Sequence, residues 1–302
     1  MRRNKPRRTR PRRDTGGGVS PPTRSRPQPN PNTARIIKEV DSILNEPRYE
    51  DFVKRLGEAA RDPKVRGVLI GGLMDGKKLD DVVQHGDIMR MCLNLTPIQH
   101  EIDLEKSLEW VGKHPENVPL MLRGGTLGPE HFGGVPIVVS YGQYIIDGHH
   151  RWSQVYMVNP EARLEAIDLH VEDPRAALRR SQVAIAAMTG EVPVARVEPG
   201  KNIYTMSPEE IRRTIPRYLN PAFYQAFYDT YPDSFQSEED VQAYIFQNIM
   251  RMRRHSRPQS DIGRELMPQY GKVGARQGVE ALEAGEVNIE PPYVKRLPKS
   301  GV

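Results

Sequence analysis

Cysteine is almost missing from this chain. With Cys92 alone among 302 residues, an internal disulfide and a closed cysteine-rich zinc site are both excluded, and a reducing, cytoplasmic-type compartment is expected. Long apolar runs are missing too: no stretch of about eighteen apolar residues exists to span a bilayer. The amino terminus is charged but has no apolar core, which argues against a secretory leader. Acidic residues are scarce in residues 1–33, where ten Lys/Arg face only Asp14 and leave a local charge of +9. The remaining residues hold 34 basic and 38 acidic side chains, a balance of −4. The isoelectric point near 9.2 therefore belongs to the tail and says nothing of a basic groove on the fold.

Residues 1–33 also lack apolar side chains beyond Met1 and Val19, and Pro and Gly interrupt every stretch. Such a segment buries too little surface to order its backbone, so a disordered basic tail is expected. Its arginines attract phosphate backbones by counterion release without reading bases. DNA or RNA is thus a candidate partner, beside the plainer alternative of a solvated extension.

Beyond the tail the spacing turns helical. Ile36, Ile37, Val40, Ile43 and Leu44 recur at three and four residues and predict a helix with Thr33 as N-cap. A second helix is expected over residues 49–60. Residues 65–70, bounded by Asp62-Pro63 and Gly71-Gly72, read as a short strand or buried turn. An apolar stretch over 88–95 leads into TPIQHEIDLEKSLEW, where Asp103 caps a helix that turns Leu104, Leu108 and Val111 inward. The glycine-punctuated residues 123–134 read as a flexible connection, with a lid carrying His131 and Phe132 as the alternative. VPIVVS and QYIID flank Tyr141-Gly142, a compact hairpin signal, and the second strand runs directly into the helix of DGHHRWSQVYMV. A strand over 164–171 and a helix from Asp173-Pro174 to Met188 follow. Ser207 and Ser237 open further helices. Past Arg254 periodicity fades into an irregular tail with one helical turn near 279–282. The expected organisation is a tail (1–33), an N-terminal helical segment (34–84), a central domain (85–190), a helical extension (191–254) and a C-terminal tail (255–302). The fold class is α+β, a small mixed sheet with flanking helices.

The segment YIIDGHHRW, residues 144–152, carries the chemistry. A helix N-terminus presents unpaired N–H groups and the positive end of a dipole, and phosphate binds there readily. Gly148 allows close backbone approach, since any Cβ would hold a ligand away. His149, His150 and Arg151 add side-chain donors, and the guanidinium is charged at neutral pH and grips two oxygens. The alternative is a turn whose histidines are satisfied locally. Adjacent histidines on a helix point about 100° apart and do not converge on one ion, so no protein-bound metal is expected. A magnesium ion arriving with nucleotide phosphates needs only one or two carboxylates, for which Asp147 and Glu101 are candidates. Lys106 is a weaker phosphate candidate.

On these residues the sequence resembles the ParB/sulfiredoxin superfamily. TPIQHEIDLEKSL is similar to its first box, PIVV follows, and YIIDGHHRW is similar to its second; the span is about residues 91–171. The DGHHR form looks most like the ParB-like proteins of tailed bacteriophages. The resemblance implies a small α+β fold in which Asp147, Gly148, His149, His150 and Arg151 hold the phosphates of a nucleoside triphosphate or diphosphate with Mg2+. Gln99 and Glu101 would lie opposite. Sulfiredoxins place a cysteine where His149 stands, so sulfinic acid reduction is not expected. Chromosome-partitioning members carry a GERR-type box and a helix-turn-helix, and neither is evident here. Free-serine kinases of the superfamily have a closer box and use a first-box glutamate as base, the place Glu101 matches.

Nucleoside-phosphate binding is the expected function, with NTPase or phosphotransferase turnover in which Glu101 and His150 are the candidate catalytic groups. A DNA-associated binding module and a virion-associated structural protein using the arginine tail are the alternatives. The partners expected are nucleotide, DNA or RNA through residues 1–33, and a second copy in a homodimer, with no membrane. The expected location is the cytoplasm, that of a host if phage-encoded, or the virion.

Overall fold

The structure, a computed structural model, describes residues 31–71, 78–192, 200–258, 262–268 and 271–289. The expected disordered tail at 1–33 falls almost wholly outside these. Among the described residues the chain is α+β, with eleven α-helices and one mixed sheet of six strands.

Three helices come first: α1 (Pro31–Leu44), α2 (Tyr49–Ala59) and α3 (Pro63–Leu69). α1 begins two residues before Thr33, so Thr33 is a helical residue and not the cap. The strand or turn expected at 65–70 is also corrected. Asp62 accepts the Lys64 amide and Pro63 occupies the first helical position, and these two start signals make the segment helical despite its valines.

The sheet runs β1-β6-β4-β5-β2, with β3 paired to the other end of β6. β1 (His85–Met91) lies antiparallel to β6 (Arg163–Leu169) at one edge. β4 (Ile137–Ser140) runs parallel to β6 and antiparallel to β5 (Tyr144–Asp147), and β2 (Thr96–Pro97) extends β5 in parallel. The β4–β5 hairpin turns through Tyr141 and Gly142, both at positive φ (52° and 63°), as the sequence signal requires. The segment at 123–134 is less free than expected. Thr126–Leu127 form β3, and a single 3-10 turn covers Pro129–Phe132.

Both faces of the sheet are covered, which explains why its central strands are apolar without interruption. Ile137, Val139, Ile145, Leu164 and Ala166 face one core; Val138, Ile146, Ile167 and Leu169 face the other. The first core is closed by α4 (Leu104–Lys113), α5 (Val118–Leu122), α6 (His149–Val158), α8 (Pro208–Thr214), α9 (Pro221–Thr230) and α10 (Glu238–His255). The second is closed by α1, α2, α3, α7 (Pro174–Thr189) and α11 (Gly271–Glu283). The region expected to be irregular beyond Arg254 thus contains a 13-residue helix, and Val279, Ala281 and Leu282 are buried in the second core. No described helix is long and apolar enough to cross a membrane.

Candidate functional site

β5 meets α6 through one residue. Gly148 sits at φ +100°, and a Cβ there would lie 2.9 Å from Cγ1 of Ile137, so both conformation and space demand glycine. No side chain caps α6, and the amides of His149, His150 and Arg151 have no acceptor among the described residues. The N-terminus of a ten-residue helix is therefore open to an anion.

The side chains of the motif are not all available for that purpose. The guanidinium of Arg151 donates to Asp147 Oδ2 (2.7 Å) and to the carbonyls of Val135 (2.6 Å) and Pro136 (3.0 Å). It braces the turn against the start of β4. Burial pushes the Asp147 carboxyl up, while the neighbouring guanidinium pulls it back down. His149 is only 4% exposed, and its Nε2 accepts the amides of Ile98 (3.3 Å) and Gln99 (3.2 Å). Its other nitrogen donates to the Ile145 carbonyl, and burial holds the ring neutral, with its pKa lowered to about 3. His149 is thus a strut between the start of α6 and the segment at Ile98 and Gln99. His150 is half-buried, and its Nε2 accepts the Asp103 amide at 3.2 Å. Loss of solvent and the charges of Arg264 and Lys106 hold it neutral as well. With Nε2 accepting, Nδ1 carries the proton and remains a donor.

Around this helix end lies a cavity of about 270 Å³. Gln99, Asp147, Gly148, His149, His150 and Arg151 all line it, as does Lys106. Lys106 stands exposed at the rim, and Arg264 enters from the segment after α10. Neither makes a salt bridge among the described residues. Desolvation on its cavity side, followed by the charge of Arg264, keeps the Lys106 ammonium below its ordinary value. With Asp147 and Arg151 cancelling each other, two cations and a helix N-terminus leave the cavity positive. Its remaining wall includes Trp110 and Phe132, whose rings lie 5.3 Å apart, and Gln154. Gln154 is 5% exposed and its Oε1 has no partner among the described residues. An unpaired buried polar group of this kind costs about 1–3 kcal/mol.

Glu101 is placed elsewhere. It does not line the cavity, and its carboxylate lies 3.7 Å from His100 Nε2 while its carbonyl accepts from the Gln99 side chain. Cys92 is fully buried, with its thiol pushed well above the usual value, and takes no part in the cavity. Among the described residues no cluster of three ligating side chains occurs, and Asp147, the carboxylate in the lining, already holds Arg151.

Sequence reasoning overlooked Trp110, Gln154 and Arg264. The first two carried a signal, since Lys106/Trp110 and His150/Gln154 are four apart and share helix faces. Arg264 carried none, because it reaches the cavity only through tertiary contact: Ile262 bridges Gln99, and its carbonyl accepts the His100 amide at 3.3 Å. No family model, curated protein or solved structure matches this chain.

Proposed function

We propose that this chain binds a nucleoside phosphate in the cavity at the N-terminus of α6. The observation that carries this reading is the convergence of Lys106, Arg264 and the open amides of α6 on one cavity that also has an aromatic wall. The phosphate lies among Lys106, Arg264, the His150 Nδ1–H and the helix amides; the base lies toward Trp110 and Phe132. Asp147 and Arg151 hold the turn in shape, and His149 fixes the first-box segment beside it. The resemblance of YIIDGHHRW to the second box of the ParB/sulfiredoxin superfamily supports the same ligand class. Binding is favoured over turnover because the described residues that line the cavity include no free carboxylate to serve as base: Asp147 is paired and Glu101 lies outside the lining.

A thermal-shift panel of ATP, ADP, CTP and GTP, with and without magnesium, tests the reading. A ligand at about a hundred times its Kd adds roughly 2.7 kcal/mol to stability. In Lys106→Glu and Arg264→Glu the shift should vanish, since each cation–phosphate contact is worth about 1.5–3 kcal/mol. Stabilisation by no nucleotide overturns the proposal. Hydrolysis of ATP or CTP that is lost in His150→Ala would replace binding by turnover as the function.

A second reading rests on the +9 charge of residues 1–33. It assigns that segment to DNA or RNA backbone, and deleting it should weaken nucleic-acid binding and flatten its salt dependence.

A further inference from the structure

The cavity has a direction. Asp103 meets His150, and Ser107 Oγ lies 2.8 Å from Ser153 Oγ, so α4 and α6 run side by side with their N-termini at the same end. Lys106 and His150 stand at that end. One turn farther, about 5–6 Å, come Gln154 on α6 and Trp110 on α4, with Phe132 against the indole. A ligand bound along this axis has its anionic group at one end and a flat ring at the other. Its ring meets the Gln154 side chain, which is 5% exposed and whose Oε1 has no partner among the described residues. Packing alone would be served as well by leucine or methionine, and an amide kept without a partner at the lining of a cavity is a group awaiting one.

We propose that Gln154 is the specificity-determining residue of the cavity, reading the hydrogen-bonding edge of a nucleobase that lies against Trp110 and Phe132. The proposal rests on the nucleotide reading and adds the residue that selects the base. An amide offers one donor and one acceptor side by side, so it matches a base edge that offers the complementary pair and rejects one that does not. The volume of about 270 Å³ lies at the small end for ligand cavities and suits a ligand with a short phosphate group, a nucleoside monophosphate.

Isothermal titration of AMP, CMP, GMP, UMP and ribose 5-phosphate against the full chain and Gln154→Met tests this. In the native chain the four nucleotides should span at least about tenfold in Kd, with ribose 5-phosphate weaker than the best of them. In Gln154→Met the spread should collapse to within about threefold, ribose 5-phosphate should bind as before, and the melting temperature should hold or rise because an unpaired amide has gone. Equal affinity for all four nucleotides overturns the proposal, as does an unchanged ranking in Gln154→Met. The native ranking is itself decisive should the variant not fold. If ribose 5-phosphate and the nucleotides all bind alike, the role of Gln154 and the place of the base against Trp110 and Phe132 both fall, while the phosphate end of the cavity stands. If none of the five probes binds, this proposal falls; the nucleotide reading falls with it only if ATP, ADP, CTP and GTP also leave the melting temperature unchanged.

Discussion

Arg151 and Arg264 have the same charge and face the same cavity, yet their surroundings give them opposite roles. Arg151 spends its donors on Asp147 and on two carbonyls before β4, and its side chain is 16% exposed. Removing it takes the ion-pair partner from the partly buried Asp147 carboxylate and a charged donor from the carbonyls of Val135 and Pro136. Arg151→Ala should therefore lose about 3 kcal/mol in urea unfolding. Arg264 makes no salt bridge among the described residues, and Arg264→Ala should stay within about 0.5 kcal/mol while the proposed nucleotide-induced stabilisation disappears. Equal stability of the two variants would contradict the division of roles. His149 makes the pH dependence specific. Its folded pKa is about 3, against an ordinary value of 6.5, so between these values the unfolded chain takes up a proton that the folded chain refuses. Its contribution is complete above pH 6.5 and is lost as pH falls toward 3, at up to roughly 1.4 kcal/mol per pH unit. Urea titrations from pH 4 to 7 should show that slope. His149→Gln, which has no ionisable ring, should be flatter by about one proton; an unchanged slope would place the titration elsewhere.

The elements were legible where they announce themselves locally. Asp103 caps α4 by accepting the amides of Glu105 (2.9 Å) and Lys106 (3.3 Å), as its position before an apolar periodic run implies. Asp103→Ala should cost about 1 kcal/mol, and Asp103→Asn much less. Because the Asp103 amide also holds His150, the same variant should weaken nucleotide binding through a shifted α4, a coupling that binding data on both variants would reveal. The hairpin at Tyr141-Gly142 and the opening of α6 after Gly148 were legible for similar reasons, a turn that needs positive φ and a strand running into a polar helix start. The roles within DGHHR were not. Nothing local says that His149 accepts from residues fifty positions earlier or that Arg151 is taken up by the carbonyls of Val135 and Pro136. The valines of α3 point to a strand or turn, but Asp62-Pro63 is the stronger signal. The glycines of α11 dilute its periodicity so that the sequence shows only one turn, although Val279, Ala281 and Leu282 supply enough buried surface to hold the helix.

At the scale of the whole molecule the decisive feature is that sequence-distant ends build one layer. α11 packs against α7 in the same core as α1, α2 and α3. The Val83 amide donates to the Leu282 carbonyl at 2.9 Å, and the Asn288 amide to that of Leu69 at 2.9 Å. Ile289 donates its amide to the Asp81 carboxylate at 2.9 Å. Residues 262–268 and 271–289 thus close the N-terminal helices onto the sheet and, in passing, deliver Arg264 to the cavity. Ending the chain at residue 258 would remove Ile262, Met267, Val279, Leu282, Val287 and Ile289, all buried. At about 1.5–3 kcal/mol each, an upper bound because unfolded chains are partly compact, their loss is comparable to the whole stability of a typical domain, about 5–15 kcal/mol. The truncated chain should lose its single cooperative melt and its near-ultraviolet dichroism, and it should bind no nucleotide. A chain of 258 residues that melted cooperatively and still gained stability from nucleotide would show that the second core closes without its C-terminal half and that Arg264 is dispensable to the site.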